Sequence, residues 1–111
     1  MSKIKHVLLL PLNYNDGSTV PSDVLDQIFT ELFVLAGGYY VAGEGDGAYL
    51  MKDGTKQVDR LLAVWVAVDE NDIPELKRLA GKFATKLDQE TIYLERSGST
   101  VDFIPPLILK G

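Results

Sequence analysis

The nine residues from Arg60 to Val68 constrain this chain more than any others, because a strand built from them is apolar on both faces. Alternate side chains of a strand point to opposite sides of its sheet. Leu62, Val64, Val66 and Val68 therefore share one face, and Leu61, Ala63, Trp65 and Ala67 share the other. A sheet with helices on one side has an obvious use for only one of these. The second, a single Trp among small residues, calls for a partner subunit, a ligand or a covering segment.

The rest of the chain supplies the first face with its cover. Residues 4–12 read as a strand, and the turn residues Asn15–Ser18 close it. Ser22 is placed to cap a helix, with Asp23 in a first turn that suits negative charge. Val24, Leu25, Ile28, Phe29, Leu32 and Phe33 then recur at helical spacing up to Gly37-Gly38, a pair suited to ending a helix. A strand opens at Tyr39–Val41, is interrupted by Gly43–Gly47 and resumes over 48–52. Asp53-Gly54 signals a hairpin turn into the Arg60–Val68 strand. Asp72 and Glu75 have the spacing of a capping box, and Pro74 suits a first helical turn. Leu76, Leu79, Ala80, Phe83, Ala84 and Leu87 form the stripe of this second helix. Thr91–Glu95 and Thr100–Ile104 read as two closing strands around Ser97-Gly98-Ser99. The tail 105–111 is apolar, but its prolines keep it out of the middle of a sheet.

This order predicts an α+β chain, a βαββαβ two-layer sandwich with an antiparallel sheet, two helices on one face and a C-terminal hairpin. One domain over 1–111 is the expectation for this length. The expected core is Leu8, Leu10, Val24, Ile28, Leu32, Val64, Val66, Leu76, Leu79, Phe83 and Ile92. A one-residue slip of the first strand would exchange Leu8 and Leu10 for Val7 and Leu9.

The element order resembles that of the ferredoxin-like superfamily, and it covers the whole chain. From Val20-Pro-Ser-Asp-Val24, through the glycine-rich loop, to Lys86–Tyr93, the layout is also similar to a family of small bacterial domains without a settled activity. That resemblance implies a fold and no reaction. Many ferredoxin-like proteins pair through their sheets as dimeric α/β barrels, some holding a substrate between sheet and helices, so the superfamily implies dimerisation or a ligand cavity without choosing between them.

Composition narrows the function. There is no cysteine, which removes disulfides, thiolate metal sites and cysteine nucleophiles. It also fits the cytoplasm. The net charge is −5 and the eleven basic residues are scattered, an arrangement that argues against nucleic acid and against anionic membrane surfaces. The apolar run Val7–Leu12, behind two lysines, is too short for a signal peptide or a membrane span and contains Pro11. Tyr39, Tyr40 and Tyr93 invite comparison with RNA-recognition modules, but the first strand has no aromatic and the charge is wrong.

Three segments carry candidate sites. Leu61, Ala63, Trp65 and Ala67, with Tyr93, would line a shallow pocket or lie beneath a second subunit or the tail. His6 is the only histidine. It excludes sites built on two imidazoles and is either a general base oriented by Asp102 or Glu95 or a partly exposed residue at the start of a strand. Gly43–Gly47 has neither phosphate-loop spacing nor a following helix, and its two carboxylates, Glu44 and Asp46, are few for a divalent cation, so it reads as a turn or bulge in a bent strand. No metal site and no cofactor is expected. The leading expectation is a non-catalytic homodimer, an assembly or binding module using the outer sheet face. The alternative is a cofactor-free enzyme or carrier of a small apolar ligand, with Trp65, Tyr93 and His6 around the cavity.

Overall fold

In the computed structural model, which describes residues 2–107, the four strands form one antiparallel sheet in the order β2-β3-β1-β4. The elements are β1 (Ser2–Pro11), α1 (Ser22–Ala36), β2 (Tyr40–Leu50), β3 (Lys56–Val68), a 3-10 turn (Glu70–Asp72), α2 (Ile73–Lys86) and β4 (Tyr93–Asp102). The expected βαββαβ order holds. The two doubly apolar strands, β1 and β3, take the middle of the sheet and pair from Ile4 with Val68 to Pro11 with Leu61.

This register settles the parity of β1. Leu8 lies opposite Val64 and Leu10 opposite Leu62, and Leu8 and Leu10 are fully buried on the helix side. They join Ile28, Leu32, Val64, Val66, Val68, Leu76, Leu79, Phe83 and Leu87 in one cluster. Val24 and Ile92, expected inside, only flank it, whereas Val20, Ala36, Ile73 and Ala80 are buried additions. Phe33 is exposed despite its helical spacing, because the buried stripe of α1 runs through Ile28, Leu32 and Ala36. The helices are also joined by polar contacts, Lys82 with Glu31 and Lys86 Nζ with Gln27 Oε1 at 2.6 Å.

Three local expectations need correction. The residue that starts α1 is Pro21, whose carbonyl accepts from Val24 and Leu25; Ser22 is already helical and no side chain caps this end. The capping box at Asp72 does not form. Asp72 ends the 3-10 turn in a helical conformation, and Glu75 instead takes a two-pronged bond from Arg78. The closing hairpin is a single bulged strand. Ile4 faces Thr100 and His6 faces Arg96, so Ser97, Gly98 and Ser99 together oppose Lys5. Gly98 takes the left-handed conformation the bulge requires (φ +76°), and Ser97 Oγ donates to the Lys5 carbonyl at 3.0 Å.

Gly37 ends α1 as its sequence suggested, with φ +79° and its N–H donated to the Phe33 carbonyl at 2.8 Å. A Cβ added there would meet nothing, so the cost of substitution is conformational alone. Gly37→Ala should lower stability by about 1 kcal/mol, and Gly37→Asn by less. Thermal denaturation checks the order: an alanine variant as stable as the parent would contradict it.

Candidate functional site

The outer side of the sheet, away from both helices, is set by cross-strand rows. Tyr40, Trp65, Val7 and Glu95 form one row; Gly43, Ala63, Leu9 and Tyr93 form the next; Gly45, Leu61 and Pro11 a third; Gly47 and Asp59 a fourth. A bulge in β2 makes this possible. Its register shifts between Val41 and Gly43, leaving Ala42 without a partner. Without that extra residue, Glu44 and Asp46 would point onto the apolar outer face. With it, three glycines point there, and Glu44 turns to the opposite side, where Arg60 holds it at 2.7 Å.

No described segment covers the Trp65 end of this face, whereas at the Asp59 end Gln89 reaches Tyr49 across it. Trp65 is 39% exposed, Tyr40 60% and Tyr93 53%, high values for residues of this size. The described part of the tail does not shield them, for Phe103, Ile104 and Leu107 are exposed as well. Leu109, at the end of the apolar tail segment, lies outside the described residues.

Two cavities divide the face. The first, about 620 Å³, is lined by Lys3, Lys5, Gly37, Tyr40, Trp65 and Phe103, among others, and also by Ala67. Here Tyr40 leans on Trp65 (centroids 5.1 Å apart), while Lys5 Nζ sits 3.6 Å from the centre of a Trp65 ring. Such a cation–π contact at an exposed site contributes about 0.5–1 kcal/mol. Tyr39, stacked on Phe29 at 4.9 Å, fixes the Gly37-Gly38 rim to α1. Lys3 donates to the Ala36 carbonyl at 3.0 Å, satisfying an open C-terminal carbonyl of α1.

The second cavity, about 390 Å³, lies at the other end and includes Leu9, Tyr49, Asp59, Leu61, Gln89 and Tyr93 in its lining. The sequence-predicted residues are thus shared out: Trp65 and Ala67 go to the first, Leu61 and Tyr93 to the second, and Ala63 lies in the row between. Tyr49 O–H donates to Gln89 Oε1 at 2.8 Å, tying the β2–β3 hairpin to the segment after α2. Burial, and then the negative charge of Asp59, push the Tyr49 phenol up to about 12. Since the folded form holds this proton more tightly than the unfolded chain, its contribution is complete below about pH 10 and is lost as pH rises towards about 12. The bond from Tyr93 to Glu95 raises that phenol as well, so a tyrosinate absorbance titration should lose its latest-ionising component in Tyr49→Phe; an unchanged titration in that variant would refute the assignment.

His6 belongs to neither cavity. It lies opposite Val66, on the helix side, and is buried (2% exposed) against the expectation of a partly exposed residue. Its Nδ1 is 3.0 Å from the Ile4 carbonyl, and Nε2 has no partner. The orienting groups considered for it are elsewhere: Glu95 is on the outer face, accepting from Tyr93 at 2.8 Å, and Asp102 is paired with Ser2. The parity that buries Leu8 also buries His6, so it cannot share a cavity with Trp65. Glu44 and Asp46 turn to the same side of the sheet, where both raise the Arg60 guanidinium, and among the described residues no group of three or more His, Asp or Glu is placed to hold a metal ion. Among the same residues no helix is long and apolar enough to cross a membrane.

Asp59 is the site residue that sequence reading passes over. It has the same strand parity as Leu61, Ala63 and Trp65, and that parity is the available signal. No protein-family model matches the chain, and no curated protein matches its sequence. Its architecture is nevertheless shared. A phage SAM lyase in complex with S-methyl-5'-thioadenosine superposes with a TM-score of 0.67 at 12% identity, over 90% of this chain and 85% of that one. The phage SAM lyase in its apo state gives 0.64 at 12% identity, over 91% and 86%. The divalent cation tolerance protein of Thermus thermophilus gives 0.57 at 14% identity, over 96% and 88%. At these identities the likeness is one of fold, and the fold is the ferredoxin-like α+β sandwich.

Proposed function

We propose that this chain is a cytoplasmic, non-catalytic assembly module, a homodimer whose copies meet through the outer faces of their sheets. The observation that carries this reading is the uncovered row of Tyr40, Trp65 and Val7, continued by Ala63, Leu9 and Tyr93, on a sheet whose other face already has its helices. Burying a Trp and two Tyr rings removes on the order of several hundred Å² of apolar surface from water, a strong driving force for association. Native mass spectrometry tests it directly. A dimer mass is the expected result, and a monomer at micromolar concentration would overturn the proposal.

A second reading has one specific observation in its favour. The Trp65 cavity combines an aromatic platform with the ammonium groups of Lys3 and Lys5, which suits a flat ligand bearing negative charge or an electron-rich ring. A protein of the same fold is known with S-methyl-5'-thioadenosine bound. The carrier form of this reading gains from that cavity; the enzyme form loses the base it relied on, since His6 faces the helices. A small-molecule mass adduct on the native protein, lost in Trp65→Ala, would favour the carrier.

A further inference from the structure

The cavity at the far end of the outer face contains a polar atom that the fold leaves unused. Asp59 is buried, with only 4% of its surface exposed. Its Oδ1 accepts from Gln57 Nε2 at 3.1 Å, while Oδ2 is shielded from solvent and has no partner among the described residues. Buried polar groups are nearly always paired, and a carboxylate oxygen without a donor is among the costliest exceptions. The Tyr49 hydroxyl lies beside Asp59, whose charge and hydrogen bond both help to raise the phenol, but its one proton cannot serve Asp59 and Gln89 Oε1, 2.8 Å away, together. Among the described residues no Lys or Arg lines this cavity. Leu9, Pro11, Leu61, Tyr49 and Tyr93 form most of its wall, with the uncharged polar residues Gln89 and Thr91 beside them.

We infer that this cavity is a binding site for a small organic cation, an N–H-bearing ammonium or guanidinium on an apolar stem, with Asp59 as its counter-ion. Oδ2 supplies the missing acceptor and the charge. The Tyr49 and Tyr93 rings offer faces to a cation, and Leu9, Pro11 and Leu61 take the stem. A single carboxylate is too few for a divalent metal ion but sufficient for one ammonium. The volume, about 390 Å³, suits a molecule of modest size. Gly47 makes room at the floor: Leu61 lies against it so closely that a Cβ there would be 2.6 Å from Leu61 Cδ1. Because Oδ2 is out of contact with water, a side chain of the cavity wall has to move aside as the cation enters.

The test is a nuclear magnetic resonance titration of the intact protein with n-butylammonium and with its neutral counterpart 1-butanol, at matched ionic strength. The expected result is a set of amide shifts confined to residues 57–61, 89 and 93, with the cation bound about tenfold or more tightly than the alcohol. Asp59→Asn, which keeps the shape and removes the charge, should bind the two equally. Equal binding by the parent protein, shifts elsewhere, or no shifts with the ammonium would each overturn the inference. A preference for the cation that survives in Asp59→Asn would overturn it too. If Asp59→Asn does not fold, the comparison of the two probes on the parent protein decides. Leu9 and Tyr93 belong both to this cavity and to the proposed association surface, so the titration is repeated on Trp65→Glu, in which that surface is open; the preference for the cation should persist there, and its loss would overturn the inference.

Discussion

Phe83→Ala is expected to remove about 3–5 kcal/mol of stability, the largest loss of any single truncation in this chain. Phe83 is the largest fully buried side chain, and it lies in α2 with Leu76, Leu79 and Ala80, facing the sheet residues Leu8, Leu10, Val64 and Val66 within one cluster. Truncation loses the transfer energy of the ring and leaves a void that packed neighbours close only in part. A domain of this length has about 5–15 kcal/mol in total, so the variant should melt on the order of 10–20 °C lower or fail to fold at about 37 °C. Phe83→Leu should retain much of the difference, because it keeps most of the volume. Denaturant unfolding followed by circular dichroism measures both. A Phe83→Ala protein within about 1 kcal/mol of the parent would mean that α2 does not close this core.

The second large effect is on association rather than on folding. Trp65→Glu is expected to weaken self-association by about 2 kcal/mol or more, about thirtyfold, and so to give monomers at concentrations where the parent is a dimer. Trp65 is partly exposed and lies outside the buried cluster, so the fold should survive. A glutamate at this position also has a cation at hand in Lys5, now over the indole. The losses within the monomer are the Lys5 contact and the Tyr40 contact, each about 1 kcal/mol at this exposure. Burying the new carboxylate between two sheets would be far more costly. Sedimentation or native mass measurement reads the association, and the melting curve reads the fold. A Trp65→Glu protein that stays a dimer would refute the outer face as the contact. Loss of the dimer together with collapse of the fold would point to Trp65 as a structural residue.

The two effects fall on opposite sides of the same sheet. Val64 and Val66 help close the core that Phe83 fills, and Trp65 between them contributes to an open surface. A change of one residue in position along β3 therefore moves a substitution from stability to surface chemistry. The bulge at Ala42 has the same leverage on β2, since it decides that glycines and not carboxylates face outward.

The order of elements was legible in the sequence because hydrophobic periodicity is local. Helical spacing in 24–33 and 76–87, turn residues at 15–18 and 53–54, and double-sided apolarity in 61–68 are enough to place two helices over an antiparallel sheet. Double-sided apolarity also marks the central strands, and β1 and β3 are central. The apolar outer face with Trp65 at its middle follows from alternation alone. What alternation cannot supply is the relation between strands. Whether His6 points to the helices or to the open face depends on which parity of β1 matches Val64 and Val66, and this is fixed only when the strands pair. The two bulges, at Ala42 and at Ser97–Ser99, have no signature that distinguishes them from turns, so one strand reads as two, and the glycine stripe reads as a turn or a bulge without a choice between them. The Asp59 cavity brings Leu9, Tyr49, Asp59 and Gln89 together from three strands and the segment after α2, positions far apart in sequence. The sequence by itself determined the elements and the amphipathic faces, which are properties of neighbouring residues. Only the tertiary structure decided register, the isolation of His6 and the unpaired oxygen of Asp59, because each depends on which distant backbone lies alongside.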